Sequence, residues 1–186
     1  FRSSNPPDDG FAIALPDGVQ AVWDVRKAHR EITATRERIC LNGLWQWQPS
    51  VAQGDQVPAR DWGYFKVPGC WPGITDYMQK DSQTVYAHPS WNGQPLRTVS
   101  AAWYQREMTV PREWTGRRIA LRLDYLNSYA VVHIDGQRAG ELQFPGGELE
   151  ITDYCRPGAT HQLAVWVLAM PLKAVLLSYT DSAAAR

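Results

Sequence analysis

Residues 119–142 read IALRLDYLNSYAVVHIDGQRAGEL and carry the pattern that decides the fold. From Ile119 to Tyr125 apolar and polar side chains alternate, which is the period of a half-buried antiparallel strand. A second run, Tyr129 to Ile134, leads into Asp135 and Gly136, a dipeptide favoured in two-residue hairpins, and Gln137 to Leu142 is the return strand. The stretch therefore predicts antiparallel β-structure.

Similar patterns lie on both sides of this stretch. Leu44 to Gln48 alternates so that Trp45 and Trp47 share one face, which predicts that both are core residues. Leu163 to Met170 is apolar on both faces and predicts a central strand covered on each side. The other predicted strands are residues 64–67, 102–110, 148–151 and 174–178. About eight short strands with turns between them and little helix predict an all-β sandwich or barrel.

Three stretches do not follow the strand pattern. Residues 1–22 are rich in turn-forming residues and predict an extended arm. Asp24 is placed to cap a short helix over Val25 to Glu31. Residues 68–100 contain Pro and Gly at many positions without periodicity, so they predict a long excursion of the kind that often carries function.

Composition excludes several classes of partner. The chain has 19 Lys plus Arg and 19 Asp plus Glu, so no net field favours nucleic acid or an anionic membrane. No apolar run approaches the roughly 20 residues needed to cross a bilayer, which predicts a soluble protein. Cys40, Cys70 and Cys155 form an odd set without metal-ligand spacing, so at most one disulfide is expected.

Motifs for chemistry are absent from the sequence. The four histidines, His29, His88, His133 and His161, are far apart in the chain and form no cluster with ligand spacing, so we expect no metal site and no cofactor. Neither a glycine-rich phosphate loop nor a nucleophile elbow is present. Arg106 falls on the apolar face of its strand, where we expect it to pair with a carboxylate.

Three runs together resemble a known family. Arg38 to Trp47, RICLNGLWQW, is similar to the opening "LNGxW" strand of the sugar-binding domain of glycoside hydrolase family 2. Ala102 to Pro111, AWYQREMTVP, is similar to its "WYxRxFxVP" strand, with Met108 replacing the usual aromatic residue. Asn127 to Val165 resembles the closing half, in which an "NG" hairpin, a "DITD" corner and an "LaVxV" strand follow in order. The chain departs from the family at residues 144–148, where FPGGE replaces "GGYxPF".

The resemblance implies a jelly-roll β-sandwich of the galactose-binding type. On this basis we expect an N-terminal arm and short helix over residues 1–37, the sandwich over 38–178, and a tail over 179–186. The family's final strand does not follow within this sequence, and a sandwich without that strand would expose an unpaired edge and tend to self-associate.

The resemblance also implies where the chemistry resides. In the family an immunoglobulin-like domain and a barrel follow, and two glutamates on the barrel hydrolyse the glycosidic bond with retention. The acid/base glutamate follows an Asn, and this sequence has no Asn-Glu dipeptide. We therefore expect a non-catalytic domain of a β-glycosidase, with the following domains as partners and a carbohydrate as ligand.

Loops of this sandwich often reach the rim of the active site in such enzymes. By position, His88, Trp91, Asn92, Asn127 and Asp181 are the substrate-contact candidates that the resemblance implies. For Trp91 the competing interpretation is ordinary surface packing.

Two other functions stay open at this point. The same sandwich serves as an independent carbohydrate-binding module, or as a purely structural module beside another domain, because a fold does not determine function. The sequence does not identify the sugar. It begins at Phe1 without a charged and apolar leader, which is compatible with processing after export, so a periplasmic or secreted location stays open.

Overall fold

The computed structural model describes residues 13–50, 54–69 and 84–169. Within these ranges the chain forms eleven strands and three short 3₁₀ turns. The strands are β1 Arg30–Ile32, β2 Glu37–Ile39, β3 Gly43–Pro49, β4 Gly63–Val67, β5 Val85–Tyr86, β6 Ala101–Thr109, β7 Ala120–Leu123, β8 Tyr129–Ile134, β9 Gln137–Gln143, β10 Gly147–Glu150 and β11 Thr160–Leu168. The 3₁₀ turns are Leu96–Thr98, Arg112–Trp114 and Thr152–Tyr154. None of the helical segments in the described ranges could span a membrane.

Seven strands form one antiparallel sheet in the order β5-β4-β3-β6-β11-β8-β9. One of the central strands, β11, pairs with β6 along its whole length and with β8 over Leu163 to Leu168. It buries Leu163 and Val165 on one face, and Ala164 and Trp166 on the other. The central strand predicted from the continuous apolar run is thus confirmed, and it begins at Thr160.

A second, two-stranded layer of β7 and β10 packs on one face of this sheet. Leu121 of that layer and Ile119, which precedes β7, share one buried cluster with Trp45 and Val132 of the large sheet. Trp47 is also fully buried, in the neighbouring cluster, so the prediction of two core tryptophans is confirmed. The predicted all-β sandwich is confirmed as well.

The other face of the large sheet is covered by residues 54–62. Trp103, Val131 and Trp166 form a buried cluster there, against which Val57 and Trp62 pack. A sheet apolar on both faces needs such a cover to keep its second face from water.

The prediction of a helix over Val25 to Glu31 is wrong. Asp24 does accept a hydrogen bond from the Arg26 main-chain N–H at 2.9 Å, but the bond closes a turn rather than a helix. Residues from Arg30 onward instead pair with Glu37–Ile39 as the hairpin β1-β2. The physical reason is that this segment has no apolar stripe to bury as a helix, whereas pairing satisfies its main-chain groups.

Hydrogen bonds of the Glu37 side chain attach that hairpin to the sandwich. This side chain is 8% exposed, Oε2 accepts from the Trp114 indole N–H at 2.7 Å, and Oε1 accepts from Arg30 at 3.1 Å. A buried carboxylate is stable only when its oxygens are paired in this way.

Two smaller expectations also need correction. Tyr125, predicted on the buried face, is 74% exposed because β7 ends at Leu123. Within the excursion over 68–100, Val85–Tyr86 forms the edge strand β5. The predicted strand 174–178 and the tail 179–186 lie outside the described residues.

Candidate functional site

The strand register brings several connecting segments to one end of the large sheet. Tyr129, which begins β8, lies opposite Leu168 at the end of β11, and Leu168 lies opposite Ala101 at the start of β6. Likewise β3 ends, β4 begins and β5 ends at this side. Residues 54–62, 87–100, 124–128 and 144–146 therefore lie at the same end, which we call the loop end.

His88 and Trp91 occupy the loop end next to the edge strand β5. The His88 side chain is 12% exposed, and its Nδ1 lies 2.7 Å from Ser90 Oγ and 3.9 Å from Asp61 Oδ1. Trp91 is half-buried, donates its indole N–H to the Asp61 carbonyl at 2.9 Å, and meets Trp47 edge-on at 5.3 Å between ring centroids. Asn92 is exposed in the same turn.

Asp61 belongs to this group, and sequence reasoning missed it. It has a left-handed backbone with φ of 69°, and its carboxylate lies between His88 and Arg60, whose Nε is 3.9 Å from Oδ2. An imidazole, a carboxylate and an indole that share one end of a sheet can bind a hydroxylated ligand. The sequence offers no local signal that these residues are close in the fold, because His88 lies 27 positions after Asp61.

Asn127 does not join that group. It is exposed at the loop end before β8, and five strand positions separate β8 from β5. At about 4.8 Å per strand, β8 and β5 lie roughly 24 Å apart across the sheet, so Asn127 and His88 lie toward opposite edges. Of the predicted contact residues the structure thus brings together His88, Trp91 and Asn92, while Asp181 lies outside the described residues.

A second cluster of titratable side chains lies at the opposite end of the sheet. The Arg156 main-chain N–H donates to His161 Nε2 at 2.8 Å, so this nitrogen carries no proton and Nδ1 donates to Asp135 Oδ2 at 2.7 Å. Burial, and after it the charge of Asp135, raises the pKa of the neighbouring Cys155 thiol to about 11. A thiol that stays protonated at neutral pH is not a nucleophile, so this cluster is structural.

We expect Asp135→Ala to lower the free energy of unfolding by about 2 kcal/mol, because two hydrogen bonds are lost and alanine tolerates the φ of 50° poorly. Burial alone would raise the pKa of Asp135, but the hydrogen bonds from His161 and Gln162 outweigh it and lower the pKa from its ordinary value. The carboxylate's contribution is therefore complete above the unfolded pKa and is lost as pH falls through the folded pKa. Urea unfolding from pH 2.5 to 7 measures both effects.

Asp135→Asn is the matched control for that experiment. Asparagine tolerates the left-handed backbone and keeps an acceptor oxygen, so we expect a smaller loss of stability. Because asparagine does not titrate, we also expect the unfolding free energy of this variant to depend less on pH in the acid range. An alanine variant with the same stability and the same pH dependence of unfolding as the wild type would show that the Asp135 carboxylate does not stabilise the fold.

His133 is a third buried titratable group, 1% exposed beneath residues 54–62. Its ring lies 5.4 Å from Trp103, and burial, followed by the charge of Arg138, lowers its pKa. His133 is thus held neutral in an apolar setting. Across the part of the chain that the structure describes, no three His, Cys, Asp or Glu side chains converge as a metal site, and Cys40 and Cys155 are free thiols.

Comparison with known proteins gives the family context of these features. The sequence model of the family described as "Glycosyl hydrolases family 2, sugar binding domain" matches residues 40–182. A β-glucuronidase of Felis catus is 30% identical over 118 residues, which cover 62% of this chain and 17% of that protein. The chain thus spans less than a fifth of the length of this relative.

Two solved structures agree with this result. A β-glucuronidase of an uncultured Clostridium sp. superposes with a TM-score of 0.50 at 26% identity, covering 68% of this chain and 21% of that one. A β-glucuronidase of Faecalibacterium prausnitzii superposes with a TM-score of 0.55 at 24% identity, covering 75% and 22%. The second likeness is evidence for the fold alone.

Proposed function

Because the chain belongs to the sugar-binding domain family of the family 2 glycosyl hydrolases, we propose that it is the non-catalytic N-terminal domain of a retaining β-glycosidase acting on β-glucuronides. The observation that carries this proposal is that residues 40–182 match a family defined as a sugar-binding domain, while the chain covers only 17% of a β-glucuronidase that it resembles. In this role the hydrolytic carboxylates lie on a barrel that follows the sandwich.

The loop end is the part of the sandwich that we propose to face the substrate. It presents the exposed Asn92 and the polar pair His88 and Asp61, which are supported from below by Trp91 and Trp47. Hydrogen-bonding groups held at the end of a sheet orient a sugar without taking part in bond cleavage. Asp181 remains a candidate by its position along the chain.

Hydrolysis of chromogenic substrates tests the proposed division of labour. The 186-residue chain should release no nitrophenol from p-nitrophenyl β-D-glucuronide, β-D-galactoside or β-D-mannoside. The longer polypeptide that we propose should hydrolyse the glucuronide in preference to the other two. Turnover by the short chain would refute the non-catalytic role, and a galactoside preference in the long one would refute the substrate class.

His88→Ala in the longer polypeptide tests the loop end itself. We expect KM to rise about fivefold with a smaller change in kcat, because one positioning hydrogen bond is worth about 1 kcal/mol. The matched control is His29→Ala, since His29 is 75% exposed beside the β1-β2 hairpin. Equal KM values for the two variants would remove His88 from the substrate site.

A further inference from the structure

Two large aromatic side chains stand exposed together at the loop end. Tyr125 is 74% and Phe144 is 61% exposed, and their ring centroids are 6.3 Å apart with an interplanar angle of 84°. In this edge-to-face arrangement the edge of one ring meets the face of the other, so broad ring faces remain open to solvent. Exposing two adjacent aromatic side chains to water is unfavourable. Single exposed apolar residues are common on protein surfaces, whereas an exposed apolar pair marks a binding site.

Main-chain hydrogen bonds hold the two aromatic residues in place. The Leu126 N–H donates to the Pro145 carbonyl at 2.9 Å, and the Phe144 N–H donates to the Ser128 carbonyl at 2.8 Å. Leu126, next to Tyr125, is buried in the core. The pair is therefore built on segments tied to each other and to the sandwich, which lowers the entropy lost when a ligand binds.

Gly146 makes this close approach of the two segments feasible. It has a φ of 128°, and a Cβ at this position would lie 2.2 Å from the Leu123 carbonyl oxygen. Only glycine fits there.

Polar side chains flank the aromatic pair along β7 and β10. Arg122 Nε lies 2.6 Å from Asp124 Oδ1, and Arg122 Nη1 lies 3.6 Å from Glu148 Oε1. Asn127, two residues after Tyr125, is exposed. One cation and two carboxylates give these three ionised side chains a net charge of −1 (+1 − 2).

The exposed aromatic area matches a small ligand better than a large interface. Two aromatic side chains present about 300 Å² between them, whereas a stable protein interface needs about 800 Å² from each partner. One or two sugar rings match that area. Flat aromatic faces cover the C–H faces of a pyranose, while carboxylates, an amide and a guanidinium can hydrogen-bond its hydroxyl groups.

We propose that Tyr125 and Phe144, with Asn127, Asp124 and Arg122 beside them, form a second carbohydrate-binding surface that takes neutral pyranose units. The local net charge of −1 repels a uronate, so this surface discriminates against the acidic sugar that we assign to the site around His88. Five strand positions separate β8, beside this surface, from β5, beside His88, so one ligand ring cannot span both. The role is anchoring on a neutral glycan, without any bond cleavage.

Titration of the ¹⁵N-labelled 186-residue chain with cellotetraose, xylotetraose and mannotetraose tests this surface, with D-glucuronic acid as the acidic comparator. We expect at least one neutral probe to shift the amide signals of Tyr125, Asn127 and Phe144, and D-glucuronic acid to leave them in place. Tyr125→Ala combined with Phe144→Ala should weaken binding roughly tenfold or more. Because both side chains are exposed, the double variant should keep the wild-type circular dichroism spectrum.

Ile32→Ala is the matched control, since Ile32 is 73% exposed on the β1-β2 hairpin, and it should bind like the wild type. The proposal fails if no neutral probe shifts these signals, or if the double variant binds as well as the control. It also fails if sedimentation shows a wild-type dimer that the double variant converts to a monomer, because the pair would then be a contact between copies. None of these outcomes depends on hydrolysis of a glucuronide.

Discussion

Replacing Trp47 by alanine is expected to lower the free energy of unfolding by about 4 kcal/mol. The side chain is fully buried, and its ring centroid lies 5.4 Å from that of Phe65, 5.3 Å from that of Trp91 and 6.4 Å from that of Tyr104. Alanine leaves a cavity that these rigid rings cannot close. Guanidinium chloride unfolding at neutral pH measures the loss. An unchanged slope of unfolding free energy against denaturant concentration checks that unfolding remains two-state.

The same substitution is expected to disturb the loop end. Trp91 retains its bond to the Asp61 carbonyl but loses the ring that supports it, so its indole N–H signal should move and broaden. Trp47→Phe should cost about half as much as alanine, because it refills part of the cavity. Val22→Ala, at a side chain 83% exposed, is the surface control. An alanine variant at position 47 no less stable than that control would show that this cluster does not support the fold.

Strands that alternate between two clear boundaries were predictable from sequence. The hairpin of β8 and β9 follows the prediction because Asp135 and Gly136 both adopt positive φ, 50° and 79°, as a two-residue turn of this kind requires. The long β11 follows it too, because a strand apolar on both faces is stable only in the centre of a sheet. In both places local preference and tertiary packing favour the same structure.

Features that depend on distant partners were not predictable. Val25 to Glu31 has a capping residue and polar side chains typical of a solvated helix, yet its outcome is set by Glu37 and Trp114, which dock the β1-β2 hairpin. Asp61 joins His88 only because β4 and β5 are neighbours. Tyr125 continues the alternation of β7, but the strand ends two residues earlier, where the chain crosses to β8.

The partners of Arg106 in the core were likewise not predictable from the sequence. The residue is 6% exposed on the apolar face of β6, as predicted, but no carboxylate of the described residues pairs with it. Nη1 instead donates to the main-chain carbonyls of Leu41 and Asn42, and the guanidinium lies 4.9 Å from the Trp45 ring centroid and 5.8 Å from that of Trp23. Burial lowers the pKa of Arg106 to about 10, so it remains a cation at neutral pH.

Arg106→Ala is therefore expected to cost about 3 kcal/mol of unfolding free energy, because it opens a cavity between two indole rings and removes the hydrogen bonds that Arg106 donates to the Leu41 and Asn42 carbonyls. Arg106→Met fills most of the volume without donors, so the difference between the two variants isolates the hydrogen bonds and the cation–π contacts. Arg138→Ala, at a side chain 51% exposed and paired with Glu141, should cost less than about 1 kcal/mol. Urea unfolding gives the stabilities, and amide hydrogen exchange at residues 38–44 should quicken in the alanine variant. A methionine variant as stable as the wild type would mean that packing alone, and not the buried cation, attaches residues 23–42 to the sandwich.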